Sequence, residues 1–185
     1  MNSKVGSKMK FCSTRFGNVI GSSGSVLPIF KRQLESQSDL TLTSKTMTRF
    51  IMTIDEAASF VLKAATVTSG GEIFISKMRA LKINDLAEAL LQRWIDVNGD
   101  SKSQIVEIGK KQGEKEWEEL MLEDELEVAY DYGDFIGILN SSCKSKEIVN
   151  SYNRVINNID IHSHYSEHMQ KEEIIKYLVS NNLIN

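Results

Sequence analysis

The chain has 185 residues, of which 41% are hydrophobic and 25% charged, a composition typical of a folded globular protein rather than a disordered one. Its net charge of −3 hides a basic N-terminal region, since residues 1–50 carry eight Lys or Arg and two acids. Such a region suits nucleic acid, a lipid surface or a small phosphorylated ligand. Because the aromatic-rich signatures of nucleic-acid modules are missing, we favour the small ligand and expect no nucleic-acid partner.

Cysteine content and hydropathy bear on location. Cys12 and Cys143 are far apart and lack a metal-binding spacing, which is typical of reduced thiols in a cytoplasmic protein. No apolar run approaches the roughly 20 residues that a membrane span needs. The residues after Met1 are polar, unlike a signal-peptide core. We therefore expect a cytoplasmic protein without a membrane span.

The first half of the chain alternates between predicted strands and helices. Residues 9–16 suit a central strand, because apolar side chains would lie on both of its faces. A helix is predicted to begin near Pro28, and a short strand is predicted at 40–43. The next helix, over 54–67, follows a Thr-x-x-Glu capping box. Its predicted apolar stripe consists of Ile54, Ala57, Ala58, Val61, Leu62 and Ala65.

The second half continues this alternation. Strands are predicted at 71–76, 104–109 and 135–139. Helices are predicted from a cap at Asn84, over about 114–122, and at 171–182 near the C terminus. Strands that alternate with helices indicate an α/β fold.

A glycine-rich stretch, RFGNVIGSSGSV at 15–26, contains Gly17, Gly21 and Gly24. Glycines between a strand and a helix can expose backbone N–H groups to phosphates, as in dinucleotide-binding loops. The same residues also suit a tight strand-to-helix turn, and a lone glycine motif does not separate the two. A dinucleotide-binding domain needs several parallel strands around its loop, whereas one predicted strand precedes this loop. From these residues alone, both interpretations stay open.

Four separated motifs resemble, in order, the C-terminal part of one enzyme family: RFGNVIGSSGSVLPIF at 15–30, TLTSKTMTRFIMTIDEAASFVLKA at 41–64, GGEIFISKMRALKINDLAEAL at 70–90 and EIGKKQGEKEWEELM at 107–121. This family is that of the polysaccharide biosynthesis proteins, extended short-chain dehydrogenases/reductases of the UDP-N-acetylglucosamine 4,6-dehydratase type. The resemblance implies that residues 1–142 form an incomplete NAD-binding Rossmann-like domain plus a small substrate-binding lobe. It also implies a polar linker and a C-terminal latch helix at 143–185.

The resemblance implies the substrate-binding portion of an NAD-dependent nucleotide-sugar dehydratase. Alternatives are a UDP-N-acetylglucosamine 2-epimerase, another C4/C6-modifying relative, or a non-catalytic truncated or split-gene fragment that binds UDP. The family's cofactor fingerprint and catalytic lysine motif lie upstream of the matching region. We therefore expect no catalytic residues, no turnover and no tight NAD(P) binding by this chain alone. The expected partners are a UDP-sugar and either a missing N-terminal half or further copies of the chain.

Several residues are implied to contact the UDP-sugar. Arg49 would face the diphosphate, Asn18 would lie near the sugar or diphosphate, and the loop with Ser22, Gly24 and Ser25 would let the backbone approach the nucleotide. The family's R-P-G-E-K turn is K-Q-G-E-K here, so that Lys111 offers a point charge where arginine offers a bidentate fork. Ser23 also stands where many relatives carry arginine. The predicted substrate-binding residues are Asn18, Ser22, Gly24, Ser25, Arg49, Lys111 and Glu114.

Three histidines, His162, His164 and His168, invite a metal-site interpretation. We predict no metal here, because neither an acid nor a cysteine completes a fixed ligand set in this polar segment. The family that the chain resembles also uses no metal.

Overall fold

The computed structural model describes residues 9–139, 153–155 and 161–184. In chain order its elements are β1 (Ser13–Arg15), β2 (Asn18–Val19), α1 (Val26–Glu35), β3 (Leu40–Leu42), β4 (Thr48–Met52), α2 (Ile54–Val67), β5 (Ile73–Ser76), β6 (Arg79–Lys82), α3 (Ile83–Asn98), β7 (Ile105–Glu107), a 3-10 helix (Glu123–Val128), β8 (Ala129–Asp131), β9 (Phe135–Ile138), β10 (Asn153–Arg154) and α4 (Lys171–Ser180). They form two compact units, the first made of 1–16, 55–78 and 119–161 and the second of 17–54, 79–118 and 162–185. The predicted domain boundary at residue 142 stays a prediction, because much of the predicted linker, with Cys143, lies outside the described residues.

The first unit contains a five-stranded sheet in the order β1-β5-β9-β8-β10. β1 and β5 are parallel, and the other neighbouring strands are antiparallel. Aromatic rings fill the core: Phe60 of α2 and Phe74 of β5 both meet Phe135 edge to face, with ring centroids 5.6 and 5.3 Å apart. The sheet and α2 are thereby joined through one aromatic cluster.

The second unit contains a three-stranded sheet, β2-β4-β6, and a two-stranded sheet, β3-β7. Three amphipathic helices, α1, α3 and α4, supply most of its apolar core. Phe30, Leu86 and Leu178, one from each helix, are fully buried. Because the strands are short, packing of these helix faces contributes much of the stability of the unit.

The α/β prediction is confirmed, but the prediction for residues 9–16 is wrong in two respects. Only Ser13–Arg15 forms a strand, and β1 lies at one end of its sheet with β5 as its neighbour. Phe11, expected inside, is 50% exposed. The apolar character of this segment therefore does not correspond to burial within the described part of the chain.

The helix predicted over 54–67 is confirmed, but the buried face is different from the predicted stripe. Ala57, Phe60 and Ala64 are buried, whereas Ile54 and Leu62 are each 69% exposed. The ring of Phe60 decides the orientation, because it is the part of α2 that packs against the aromatic cluster. This leaves an apolar helix face in contact with solvent.

The helix predicted over about 114–122 is wrong, because these residues are irregular and a 3-10 helix follows at Glu123–Val128. Side chains in this stretch bind other segments instead of facing solvent along a helix, as Glu116 and Glu118 do. The cap predicted at Asn84 is also wrong: Lys82 is the N-cap residue of α3, and Asn84 donates to the Glu88 side chain at 2.7 Å.

No helix within the described ranges is long and apolar enough to cross a membrane.

Candidate functional site

The second unit contains a cavity of about 600 Å³. All seven residues predicted to bind substrate line it: Asn18, Ser22, Gly24, Ser25, Arg49, Lys111 and Glu114. They come from three segments that are far apart in the sequence, and Ser23 lines the same cavity. The volume lies within the range of about 300–1,000 Å³ that is usual for small-molecule sites.

The loop Gly21–Ser25, which we call the glycine loop, connects β2 to α1 at the edge of this cavity. Pairing of β2 with β4 fixes its start, because Ile20 N donates to the Met52 carbonyl at 2.9 Å. Three short-range hydrogen bonds hold it: Ser22 N and Ser22 Oγ both donate to Val19 O, at 3.3 and 2.7 Å, and Ser25 N donates to Ser22 O at 3.0 Å. The loop therefore has few polar contacts of its own.

Ser25 is the N-cap residue of α1, yet its side chain makes no capping hydrogen bond. Its Oγ atom is buried and has no hydrogen-bond partner among the residues that the structure describes. The first turn of α1 also leaves backbone N–H groups at the positive end of the helix dipole. An anionic ligand group in the cavity would satisfy both the hydroxyl and these N–H groups.

The three glycines of the motif have two different backbone roles. A Cβ at Gly17 would lie 2.5 Å from the Phe50 carbonyl oxygen, so this glycine permits close packing of the chain against β4. Gly21 (φ 82°) and Gly24 (φ 79°) adopt left-handed conformations that turn the glycine loop. Because β2 has two residues and belongs to a small three-stranded sheet, this arrangement does not fit the dinucleotide-binding fingerprint.

Arg49 lies on β4, and backbone oxygens fix its guanidinium group. Nη1 donates to Thr48 O at 2.7 Å and to Glu116 O at 3.1 Å, and Nη2 donates to Lys115 O at 2.7 Å. Within the described ranges, no acceptor is found for Nε or for the second Nη2 hydrogen. The group is thus pre-oriented and retains donors for a ligand.

The turn that carries Lys111 and Glu114 is closed by the Glu114 side chain, which also contacts Thr43 of another segment. Glu114 accepts from the Lys111 backbone N–H at 3.2 Å and from the Thr43 hydroxyl at 3.3 Å. Sequence reasoning missed Thr43, although a polar Thr-x-Thr pair beside the matched Arg49 motif was a usable signal. Glu114 is therefore occupied in holding the turn, and Lys111 supplies positive charge to the cavity.

Glu116 connects the same turn to the segment that contains Ser44 and Thr46. Its carboxylate accepts from Lys110 Nζ at 2.6 Å and from the hydroxyls of Ser44 and Thr46. These hydrogen bonds lower the pKa of Glu116 to about 2, and the bond from Lys110 has the largest effect. The Glu116 backbone oxygen is held in place by this network, and that oxygen is one of the acceptors for Arg49.

A buried polar junction supports β4 from another segment. The Ser163 hydroxyl is fully buried, lies 2.9 Å from the Thr48 hydroxyl and accepts from Glu118 N at 2.8 Å. The Glu118 carboxylate in turn accepts from Phe50 N at 2.8 Å. Burial raises the pKa of Glu118, partly offset by that hydrogen bond and by the charge of Arg49. Both sides of Arg49 on β4 are thus fixed by residues that sequence reasoning did not identify.

The histidines contact protein groups. His168 Nε2 lies 2.8 Å from the Ser163 carbonyl oxygen, and the His164 ring packs against Trp117 with centroids 5.6 Å apart. In the part of the chain that the structure describes, no group of three or more His, Cys, Asp or Glu residues is arranged to hold a metal ion.

Comparisons with known proteins agree with this architecture. The profile of a family described as "Polysaccharide biosynthesis protein" matches residues 1–140. The capsular polysaccharide biosynthesis protein CapD of Staphylococcus aureus is 44% identical over 123 residues, 65% of this chain and 20% of CapD. A UDP-glucose 4-epimerase of Rickettsia bellii is 35% identical over 182 residues, 95% of this chain and 51% of that protein.

The fold of this chain is also similar to a solved structure. The X-ray structure of Pen from Bacillus thuringiensis matches 95% of this chain with a TM-score of 0.82 and 35% identity. The predicted fold class, part of a Rossmann-like short-chain dehydrogenase/reductase, is confirmed by this similarity. The chain spans 51% of the length of Pen and of the Rickettsia bellii epimerase, and 20% of CapD.

Proposed function

Since this chain belongs to the polysaccharide biosynthesis protein family, we propose that it is the substrate-binding portion of an NAD-dependent UDP-N-acetylglucosamine 4,6-dehydratase for surface polysaccharide synthesis. One observation carries the proposal: the seven predicted substrate-binding residues, from three distant segments, line one cavity of about 600 Å³. A cavity of this size with anion-binding groups suits a nucleotide diphosphate sugar.

The diphosphate is the part of the ligand that these groups suit best. Arg49 offers two unused N–H donors from a guanidinium group that is already oriented. The start of α1 offers backbone N–H groups and the buried Ser25 hydroxyl. Lys111 adds a second positive charge to the cavity. We assign the diphosphate to these three elements.

The sugar and the uracil would occupy the remaining lining. The Asn18 amide can donate to and accept from sugar hydroxyls. The apolar lining includes Ile51, Leu81 and Ile108, which suit the faces of the nucleoside. Serine at 23 in place of arginine removes one positive charge, and lysine at 111 replaces a bidentate fork by a point charge, so we expect moderate affinity.

We propose binding without turnover for these 185 residues. In the family, hydride transfer is the chemistry of the nicotinamide cofactor, and this chain's described residues do not form its fingerprint. A coupled dehydratase assay with UDP-N-acetylglucosamine and NAD should therefore yield no product from the purified chain. Product formation by this chain alone would contradict the assignment as a binding portion.

A second candidate is the corresponding portion of a UDP-glucose 4-epimerase. The observation that favours it is the 35% identity to the Rickettsia bellii epimerase over 95% of this chain. Both candidates require a UDP-sugar in the cavity, but the preferred sugar differs between them. The relative affinity for the two sugars therefore distinguishes them. Tighter binding of UDP-glucose than of UDP-N-acetylglucosamine would favour the epimerase.

Isothermal titration calorimetry tests the binding site directly. UDP-N-acetylglucosamine and UDP should both bind the wild-type chain, and Arg49→Ala should weaken binding about 10- to 100-fold, since hydrogen bonds to charged groups contribute about 1.5–3 kcal/mol. Arg32→Ala is the matched control, because Arg32 is exposed on α1 and does not line the cavity. Circular dichroism of each variant should show a folded chain. No binding by the wild-type chain, or equal affinity of Arg49→Ala, would contradict the proposal.

We also propose that another polypeptide covers part of the first unit, either the N-terminal half found in longer relatives or a second copy of the chain. Val61 and Leu62 on α2 are exposed, and β1 has one strand neighbour among the described residues. Parallel strands are normally covered on both faces and paired along their edges. These features are what a missing structural neighbour would leave uncovered.

A further inference from the structure

The C-terminal residues 181–184, which we call the tail segment, fold back on the second unit after α4 ends. Asn182 adopts a left-handed conformation with φ 56°. Its backbone N–H donates to Val179 O at 3.0 Å, and that of Leu183 donates to Leu178 O at 2.9 Å. These bonds resemble a helix-terminating motif in which the chain reverses direction. The position of Leu183 is therefore fixed by backbone hydrogen bonds.

Leu183 packs directly behind the glycine loop. A Cβ at Gly21 would lie 2.8 Å from Leu183 Cδ2, so the absence of a side chain at Gly21 admits the leucine. Lys31 Nζ of α1 donates to the Leu183 carbonyl oxygen at 3.0 Å and fixes the tail segment from the side. Gly21 and Leu183 also line a second cavity of about 320 Å³, separate from the one lined by Ser22 to Ser25. The glycine loop thus has the candidate ligand cavity on one side and the tail segment on the other.

We propose that Leu183 is a positioning residue that sets the conformation of the glycine loop for nucleotide-sugar binding. The three hydrogen bonds of the loop are all short-range, within Val19–Ser25, and a Cβ at Gly24 would meet no atom within 4 Å, so these bonds do not connect the loop to a distant segment. The contact with Leu183 supplies a restraint from outside the loop. When it is in place, the loop N–H groups and Ser25 are held where the ligand meets them. The identity of the ligand rests on the proposed function, whereas the contact between Leu183 and Gly21 does not.

Leu183→Ala tests this role. In the absence of ligand, hydrogen exchange of the amides of residues 22–25 should become faster, while exchange in β4 and α3 stays unchanged. Affinity for UDP-N-acetylglucosamine should fall about fivefold, within the range expected for a residue that acts through another. Leu183→Met retains the bulk and should restore both values. Val179→Ala is the matched control, because Val179 is an exposed aliphatic residue on α4.

The outcomes separate the two proposals. If the wild-type chain does not bind UDP-N-acetylglucosamine, the proposed function fails, and exchange in the glycine loop still tests the contact. If Leu183→Ala leaves loop exchange and affinity at wild-type values, the inference is overturned. Faster exchange throughout the second unit, without a local effect on the loop, would also overturn it, because it would show a general loss of stability.

Discussion

Arg49 Nη1 donates a hydrogen bond to the Glu116 carbonyl oxygen at 3.1 Å, which joins β4 to the turn at 110–116. The residue that we propose contacts the diphosphate is thus oriented by the turn that carries Lys111 into the same cavity. Because the Glu116 network joins these two segments, changes in either segment should alter ligand binding together.

Replacing Arg49 by Lys keeps the charge and removes the planar fork. We expect affinity for UDP-N-acetylglucosamine to fall about tenfold, and the free energy of unfolding to fall by about 1–2 kcal/mol, because a single lysine Nζ cannot take the positions of both guanidinium nitrogens that donate to backbone oxygens. Calorimetry and urea unfolding measure the two effects. Arg79→Lys, at an exposed arginine that pairs with Glu173, should change neither by a comparable amount. Unchanged affinity in Arg49→Lys would place the diphosphate elsewhere.

Because of Glu116, the free energy of unfolding should decrease at acidic pH. Its pKa falls from the ordinary 4.5 to about 2 on folding, so its contribution is complete above pH 4.5 and is lost as the pH falls through 2. Glu116→Gln should lower the free energy of unfolding at pH 7 by about 1 kcal/mol. The difference from wild type should shrink between pH 4.5 and 2.

Urea unfolding at pH 7, 4 and 2.5 measures this difference. Glu123→Gln, an exposed acid on the 3-10 helix, controls for the loss of one negative charge. A constant difference between Glu116→Gln and wild type across this range would be inconsistent with the ion pair to Lys110.

The pKa of Glu118 is shifted in the opposite direction from that of Glu116. Because burial raises its pKa above 4.5, the folded state binds a proton more tightly than the unfolded state, and protonation adds stability as the pH falls towards 4.5. Glu118→Gln removes the buried charge and keeps an acceptor for Phe50 N–H. We expect its stability at pH 7 to be within about 1 kcal/mol of wild type and to fall relative to wild type by pH 4.

Glu118→Ala provides the contrast. It leaves the Phe50 N–H without its acceptor, which should cost about 1–3 kcal/mol at either pH. If the Gln and Ala variants were equally unstable at pH 7, the carboxylate itself rather than its hydrogen bond would support β4.

The glycines of the motif should tolerate substitution unequally. Gly17→Ala should cost about 3 kcal/mol of stability, because the new Cβ would overlap the Phe50 carbonyl oxygen. Gly24→Ala meets open space, and left-handed strain alone should cost about 1–2 kcal/mol. Thermal unfolding of both variants measures the order. Equal losses would show that the packing of Gly17 against β4 is not the dominant constraint.

The exposed face of α2 should promote association of the isolated chain. We expect sedimentation velocity to show a concentration-dependent assembly that Leu62→Lys weakens, because a charge would have to be buried at a contact. Lys63→Ala is the comparison, because it removes an exposed side chain of α2 that pairs with Asp134, just before β9. A strictly monomeric wild-type chain would argue against a second copy as the partner.

Part of the fold and site was predictable from the sequence for identifiable reasons. The helix at 54–67 has both a capping box and period-3.6 apolar residues, and these local signals fix its bounds. Its buried face depends on which ring meets Phe135, and that contact is between distant segments. The acids of 114–122 suggested a helix, but Glu116 and Glu118 bind Ser44 and Phe50, about 70 residues earlier in the chain.

In the candidate site, too, some residues were predictable from sequence motifs and others depend on contacts between distant segments. Arg49, Lys111 and the glycine loop were predicted because they lie in motifs that resemble those of the family. Ser163 and Leu183 were not found, since a single serine or leucine has no pattern until the fold brings it to Thr48 or Gly21. Supporting residues of this kind are set by tertiary contacts, which a single sequence does not encode locally.

The bond between Thr48 and Ser163 spans 115 positions of the chain, and this has a consequence for the order of assembly during synthesis. During synthesis, the residues of β4 leave the ribosome before Ser163 does. Until Ser163 emerges, the Thr48 hydroxyl is hydrogen-bonded to water instead of to its partner. Closing such a long loop is entropically slow, and we expect this junction to form after the helices α1 and α3 have packed. The cavity would then acquire its final shape only after Ser163 has left the ribosome.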